Sequence, residues 1–106
     1  MTVDVKEINQ MARRYALDVS QVMPVEKAFL FGSYAKGYAT ELSDVDICFF
    51  LKDFNGKQCV EIITELLCLS GKYTTAAIEP LVFECVEMQN GNPFVREILA
   101  TGKELL

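Results

Sequence analysis

Two short apolar segments, each next to a polar motif, constrain the fold of this chain more than any other feature. Residues 28–31 stop at Gly32-Ser33, and residues 45–51 begin within Asp44-Val45-Asp46. The second segment is rich in β-branched and aromatic residues, as strands are. The ten residues between the motifs, 34–43, allow a short helix and a return loop. The second strand is therefore predicted beside the first, with both motifs at one end of a sheet.

Hydrophobic periodicity predicts the remaining elements. The first is an amphipathic helix with apolar residues at Val5, Ile8, Met11, Ala12 and Tyr15, and a short helix is predicted over 34–38. A further helix carries Val60, Ile63, Leu66 and Leu67 and ends at Gly71, and a strand lies within 77–86. The last helix runs from Asn92-Pro93 to Gly102, with Phe94, Val95, Ile98 and Leu99 as its apolar stripe. The order α-β-α-β-α-β-α predicts an α/β (α+β) fold, a small mixed sheet with helices packed on it. Residues 1–106 are expected to form a single domain.

The charge balance and the absence of histidine exclude several classes of function. The chain carries 15 acidic and 10 basic residues, a net charge of −5. Long nucleic-acid tracks are usually basic, so this balance disfavours one. With 0 histidines, Ser-His-Asp and Cys-His triads and most zinc sites are excluded.

Cysteine usage and the N-terminal segment predict a soluble, cytoplasmic protein. No two of Cys48, Cys59, Cys68 and Cys85 form a CxxC pair, and we expect all four to be small buried hydrophobes in a reducing compartment. The N-terminal segment is polar and acidic, unlike a signal peptide. The longest apolar runs are too short to span a bilayer, so no membrane partner is expected.

Asp44 and Asp46 are the candidate metal ligands. Strand side chains alternate, so the two carboxylates leave the same face with Cα atoms about 6.6 Å apart. Such close carboxylates repel unless cations or protons neutralise them. Mg²⁺ suits this donor set, and two ions can clamp the attacking and leaving oxygens of phosphoryl-type transfer. The alternative is a turn or capping acid beside a solvated strand acid.

Gly32, Ser33 and Lys36 are the candidate phosphate-binding residues. Gly32 has no Cβ and allows the backbone to approach a phosphate closely. Backbone N–H groups and the Ser33 hydroxyl can then donate to phosphate oxygens. An ordinary strand-to-helix turn is the alternative for this pair. Lys36 either reaches a triphosphate or lies in solvent.

Together these motifs resemble those of a known family. Gly-Ser, ten residues and Asp-x-Asp, written here as Gly-Ser-Tyr-Ala-Lys-Gly and Ser-Asp-Val-Asp-Ile, are similar to the nucleotidyltransferase superfamily with a DNA polymerase β type palm, and within it to the minimal nucleotidyltransferases (MNT). The ending Asn-Pro-Phe-Val-Arg-Glu-Ile-Leu-Ala-Thr-Gly also resembles the terminal helix of that group. The resemblance implies a nucleotidyltransferase palm-like fold.

The resemblance also implies a third metal-side carboxylate on a later strand. Glu79 is the best match, although the family more often has Asp there and Pro80 is unusual inside a strand. Glu84 is the fallback. Its side-chain parity matches Pro80 and not Glu79, so a register error of one residue would exchange the two candidates.

The function implied is transfer of AMP from ATP to a hydroxyl, with two Mg²⁺ ions held by Asp44, Asp46 and Glu79. Family members of this size often accompany a HEPN protein, a small helical ribonuclease toxin, and modify one of its tyrosines as antitoxin. The acidic charge would suit a more basic partner. A homo- or hetero-oligomer is compatible with the sequence.

Two other hypotheses about function compete with nucleotidyl transfer. The first is a noncatalytic module that keeps the fold and neutralises a partner by contact, which the atypical Glu79-Pro80 leaves open. The second is an acidic interaction domain in which the motif is accidental. Incubation with labelled ATP, Mg²⁺ and the natural partner distinguishes the two: label on the partner indicates catalysis, and a tight complex without label indicates binding alone.

Overall fold

A computed structural model describes residues 4–106, and residues 1–3 of the N-terminal segment discussed above lie outside the described residues. The described elements in chain order are α1 (Val5–Ser20), β1 (Val25–Phe31), α2 (Ser33–Lys36), β2 (Val45–Leu51), α3 (Cys59–Ser70), β3 (Ile78–Glu84), a 3₁₀ turn (Cys85–Met88), α4 (Pro93–Thr101) and β4 (Lys103–Glu104). The predicted mixed sheet with packed helices is confirmed.

The sheet has the strand order β3-β2-β1-β4. β2 runs antiparallel to β1 and parallel to β3, while the short β4 pairs antiparallel with β1. The end of β1 therefore meets the starts of β2 and β3. This topology places the Gly-Ser motif, the Asp-x-Asp motif and the first residues of β3 at one end of the sheet.

Helices cover both faces of the sheet, and side-chain alternation along β2 decides which residues face which helices. Val45, Ile47, Phe49 and Leu51 join the core that includes buried residues of α1 and α3. Cys48 and Phe50 pack with Val95 and Ile98 of α4 on the other face. Asp46 shares the parity of the second set, so it lies on the α4 face beyond the apolar cluster.

Local sequence signals account for the helix boundaries. The Asp4 carboxylate accepts a hydrogen bond from Glu7 N (3.1 Å) and caps α1. Asn92 Oδ1 caps α4 by accepting from Phe94 N (2.9 Å), with Pro93 at the first helical position. The predicted ends at Asn92 and Gly102 are confirmed, as is the predicted range of β2.

Two expectations from the sequence, the start of β1 and the buried residues of α3, need correction. β1 begins at Val25, before the apolar residues 28–31, because its backbone already pairs with β2 there. On α3 the buried residues are Ile62 and Leu66, whereas Val60 and Leu67 are largely exposed. Residues 60 and 67 lie on a different face of α3 from Leu66, and a helix that packs on one side buries only the stripe of residues on that side.

The cysteines and the last strand also differ from expectation. Only Cys48 is buried; Cys59 and Cys68 are exposed on α3, and Cys85 is partly exposed. β4 is too short and too polar to be predicted; it pairs with β1 opposite Phe29 and Leu30, and Leu105 N just after it donates to Ala28 O (2.7 Å). In the part of the chain that the structure covers, no helix has the length and apolar character needed to cross a membrane.

Candidate functional site

The strand register brings Asp46 and Glu79 together at the end of the sheet where the motifs meet. Glu79 is the direct partner of Asp46 across the parallel β2–β3 pair, and both lie on the same face. Asp44 is exposed and lies just before the first residue of β2. Glu84 is opposite Leu51, at the other end of β2. Of the two candidates for the third carboxylate, Glu79 is therefore the one beside Asp46.

Pro80 fits its position in the sheet. β3 is an edge strand in the order β3-β2-β1-β4, and proline is tolerated on edges because its missing N–H need not join a ladder. Its buried side chain lies on the opposite face from Glu79, toward the core that α1 and α3 cover. An edge position thus accommodates Pro80 without displacing Glu79.

The electrostatics of Asp46 reflect a crowded acidic cluster. Burial, the charges of Glu79 and Asp44, and a hydrogen bond with Glu79 together raise the pKa of Asp46 to about 6, from an ordinary value of 3.8. Such a carboxyl retains its proton more readily than an exposed acid, unless a cation neutralises the cluster. Asp44 is therefore near enough for its charge to act on Asp46.

These carboxylates suit a magnesium ion. Oxygen ligands from one or two carboxylates, completed by waters and substrate phosphates, are typical of Mg²⁺ sites. Among residues 4–106, no three His, Cys, Asp or Glu side chains already stand together as a metal-binding group. Asp46 and Glu79 thus form the assembled pair, and Asp44 stands beside it.

Gly32 forms the corner between β1 and α2, and its backbone conformation is one that favours glycine over every other residue. Its dihedral angles, φ 73° and ψ −148°, lie in a region that side chains disfavour strongly. A Cβ on Gly32 would also overlap Asp46 Oδ2 and approach Asp46 Cγ at 3.2 Å. The Gly-Ser motif and the Asp-x-Asp motif are therefore in direct contact.

The α2 turn leaves backbone donors at this corner. Its first backbone hydrogen bond runs from Lys36 N to Gly32 O (3.0 Å), so the turn itself does not use the N–H groups of residues 33–35. Ser33 begins the turn, and its carbonyl accepts from Gly37 N (3.0 Å). Donors of this kind suit an oxyanion, the chemistry expected of Gly32-Ser33.

The loop that returns from α2 to β2 is held by its own side chains. Ser43 Oγ accepts from Thr40 N (2.9 Å), and Ser43 N donates to Thr40 O (3.0 Å). Val45 N donates to Ala77 O (2.8 Å), which ties the end of the loop to the segment before β3. Ser43 therefore supports the turn before Asp44.

Lys36 has a partner that the sequence did not indicate. Its Nζ forms an ion pair with Glu97 Oε1 of α4 (2.9 Å), and this pair raises the pKa of Lys36. Both residues line a cavity of about 140 Å³ that also contacts Gly32, Phe31 and Phe94. No local pattern could reveal Glu97, because only the packing of α4 against the sheet brings it to α2.

A pH-dependent stability should follow from the raised pKa of Asp46. The folded protein holds a proton between about pH 4 and pH 6 that the unfolded chain has released, so unfolding free energy should fall as pH rises through this window. In EDTA at pH 7.5, Asp46→Asn should melt at a higher temperature than the wild type, and near pH 4 the two should converge.

Thermal melting followed by circular dichroism across this pH range measures the effect. Glu84→Gln, at the opposite end of the same sheet, is the matched control and should show no such gain at pH 7.5. A wild type as stable as Asp46→Asn at pH 7.5 would contradict the acidic cluster. Added Mg²⁺ should raise the melting temperature of the wild type more than that of Asp46→Asn.

Comparison with solved structures shows the fold. The chain is similar to a toxin-antitoxin crystal structure with AMP-PNP (16% identity, 89% of this chain and 72% of that chain covered, TM-score 0.64). It is also similar to two structures of mutants of the toxin-antitoxin MntA-HpeT. For the first, the identity is 18%, 99% of this chain and 73% of that chain are covered, and the TM-score is 0.58. For the second, the identity is 14%, 98% of this chain and 73% of that chain are covered, and the TM-score is 0.57.

Comparison by sequence gives the family. A search of curated proteins found no significant match. The family model described as "Polymerase beta, Nucleotidyltransferase" matches residues 6–106, which include the Gly-Ser corner, the Asp-x-Asp motif and Glu79. The chain belongs to the polymerase β nucleotidyltransferase family.

Proposed function

We propose that this protein is a Mg²⁺-dependent nucleotidyltransferase that transfers AMP from ATP to the hydroxyl group of a tyrosine on a HEPN-type toxin. By this modification it acts as an antitoxin. The observation that carries the proposal is the meeting of Gly32, Asp46 and Glu79 at one end of the sheet. Family membership and the likeness to toxin-antitoxin structures, one of them with AMP-PNP, support it.

The proposed chemistry is a displacement at the α-phosphorus of ATP. The acceptor oxygen forms a bond to that phosphorus, the bond to the bridging oxygen of the β-phosphate breaks, and pyrophosphate leaves. Asp44, Asp46 and Glu79 would hold two Mg²⁺ ions. When bound, these ions would lower the pKa of the acceptor hydroxyl and neutralise charge on the leaving group.

The chain's own residues bind and orient the reactants. Backbone N–H groups at residues 33–35 and the Ser33 hydroxyl donate to the triphosphate, close to the carboxylates because Gly32 contacts Asp46. Lys36 adds a positive charge one turn further along α2. Glu79 accepts the proton of the acceptor hydroxyl, aided by the negative charge of Asp46 beside it. Most of the rate enhancement then comes from positioning and electrostatics, which need no histidine.

A protein acceptor suits this chain, because a partner brings its own recognition surface and the antitoxin needs only the nucleotide site. An acidic antitoxin, with its net charge of −5, also favours a more basic partner. We place the reaction in the cytoplasm, where ATP and Mg²⁺ are available.

Label transfer tests the proposal directly. The protein is incubated with ATP labelled at the α-phosphate, Mg²⁺ and the product of the neighbouring gene, which we expect to be a HEPN-type protein. Label should appear on the partner, should require Mg²⁺, and should be lost when the acceptor tyrosine, located by mass spectrometry, is replaced by Phe. A tight complex without label would contradict catalysis and favour the noncatalytic binding module.

A further inference from the structure

We infer that Glu97 is a positioning residue that holds Lys36 away from the phosphate corner until a nucleoside triphosphate displaces it, and that reclaims Lys36 when pyrophosphate leaves. This inference rests on the proposed function, because it names a control on nucleotide binding at the same site. It adds a residue of α4 to a site otherwise built from β1, α2, β2 and β3.

The first support is the position of the ion pair. Lys36 lies one turn above Gly32, since Lys36 N donates to Gly32 O (3.0 Å). Its Nζ nevertheless bonds Glu97 Oε1 at 2.9 Å, on a different helix. The lysine ammonium is thus committed to a carboxylate at the edge of the candidate triphosphate site.

The second support is the cavity that the pair borders. The space, about 140 Å³, is lined by Gly32, Phe31 and Phe94 as well as by Lys36 and Glu97. The Lys36 and Glu97 side chains are 36% and 59% exposed, so the pair lies at the cavity rim and not in its interior. A ligand phosphate at the Gly32 corner would therefore approach Lys36 from the same cavity that Glu97 lines.

The third support is the balance of charge. A triphosphate carries more negative charge than one carboxylate and is a better partner for an ammonium, which has three N–H donors. The exposed Lys36–Glu97 pair is weak, so exchange of partners costs little. While the pair is formed, Glu97 keeps the Lys36 ammonium from the incoming phosphates. Glu97 consequently lowers the affinity of the empty site and favours release of pyrophosphate.

A double-mutant cycle tests the inference, with Mg²⁺-ATP binding measured by calorimetry in the absence of acceptor. Glu97→Gln should lower Kd roughly twofold to fivefold, on the scale of an exposed ion pair, and Glu97→Asp should stay nearer the wild type. Lys36→Met should weaken binding, and adding Glu97→Gln to Lys36→Met should change Kd little. Glu65→Gln is the matched control and should leave Kd unchanged, because Glu65 of α3 forms a similarly exposed ion pair with Lys57 (2.7 Å) away from the site.

The outcomes separate this inference from the proposed function. Equal Kd values for the wild type and Glu97→Gln, or the same gain from Glu97→Gln with and without Lys36, would overturn the role of Glu97 while leaving nucleotidyl transfer intact. The predicted cycle without label transfer to any partner would retain the role of Glu97 and overturn the reaction. No ATP binding by any variant would overturn both.

Discussion

Asp46→Asn and Asp44→Asn should each abolish AMP transfer while the protein remains folded. Asn keeps the shape of the side chain but removes the negative charge with which a carboxylate attracts Mg²⁺. We expect transfer to fall by roughly a hundredfold or more, as when one electrostatic contact is removed from an active site. The initial rate of label incorporation into the partner measures the loss.

Folding and local charge must be controlled in this experiment. Circular dichroism should show the wild-type spectrum for both variants. Asp46→Asn should melt no lower than the wild type at pH 7.5, because burial and the neighbouring acids that raise the pKa of Asp46 disfavour its ionised carboxylate. Glu84→Gln, at the far end of the sheet, should keep its activity. AMP incorporation retained in both Asn variants would remove the two aspartates from the mechanism.

Gly32→Ala should damage both stability and transfer. The backbone at Gly32 occupies a region essentially reserved for glycine, and forcing a side chain there costs about 1–3 kcal/mol. The added Cβ would also overlap the Asp46 carboxylate, so Asp46 must move. We expect a lower melting temperature and a loss of transfer of at least roughly tenfold, since small displacements at a reacting centre are costly.

Gly56→Ala separates the backbone effect from the overlap. Gly56 also has a positive φ, 78°, but a Cβ there would meet nothing within 4 Å. Gly56→Ala should therefore lose stability by about 1–2 kcal/mol and retain transfer. Adding Asp46→Ala to Gly32→Ala should recover part of the lost stability, because the overlapping carboxylate is gone. Full activity in Gly32→Ala would show that contact between Gly32 and Asp46 is irrelevant to catalysis.

Much of this fold follows from signals that are local in the chain. Residues 45–51 are mostly apolar, β-branched or aromatic, which favours a strand, and Asn92 caps the helix that begins at Pro93. Where exposure depends on the neighbours, the same signals mislead. Val60 and Leu67 have helical spacing, yet only the position of the sheet decides that Ile62 and Leu66 are the residues of α3 that are buried.

The candidate site divides in the same way. Gly32-Ser33 and Asp44-Val45-Asp46 are recognisable because one return loop joins them, so their meeting needs only the antiparallel pairing of adjacent strands. The sequence ranked Glu79 ahead of Glu84 but left their exchange open, because a one-residue change in register reverses the face of every side chain. The parallel pairing of β2 with β3 decides for Glu79 as the neighbour of Asp46.

The sequence by itself thus determined the order of elements, the polymerase β type motif and a chemistry without histidine, since these depend on residue type and short spacing. Only the tertiary structure decided that Glu79 pairs with Asp46, that a Gly32 side chain would overlap Asp46, and that Glu97 holds Lys36. These contacts join residues from separate elements. Their physical basis is strand register and helix packing, which the whole core sets together.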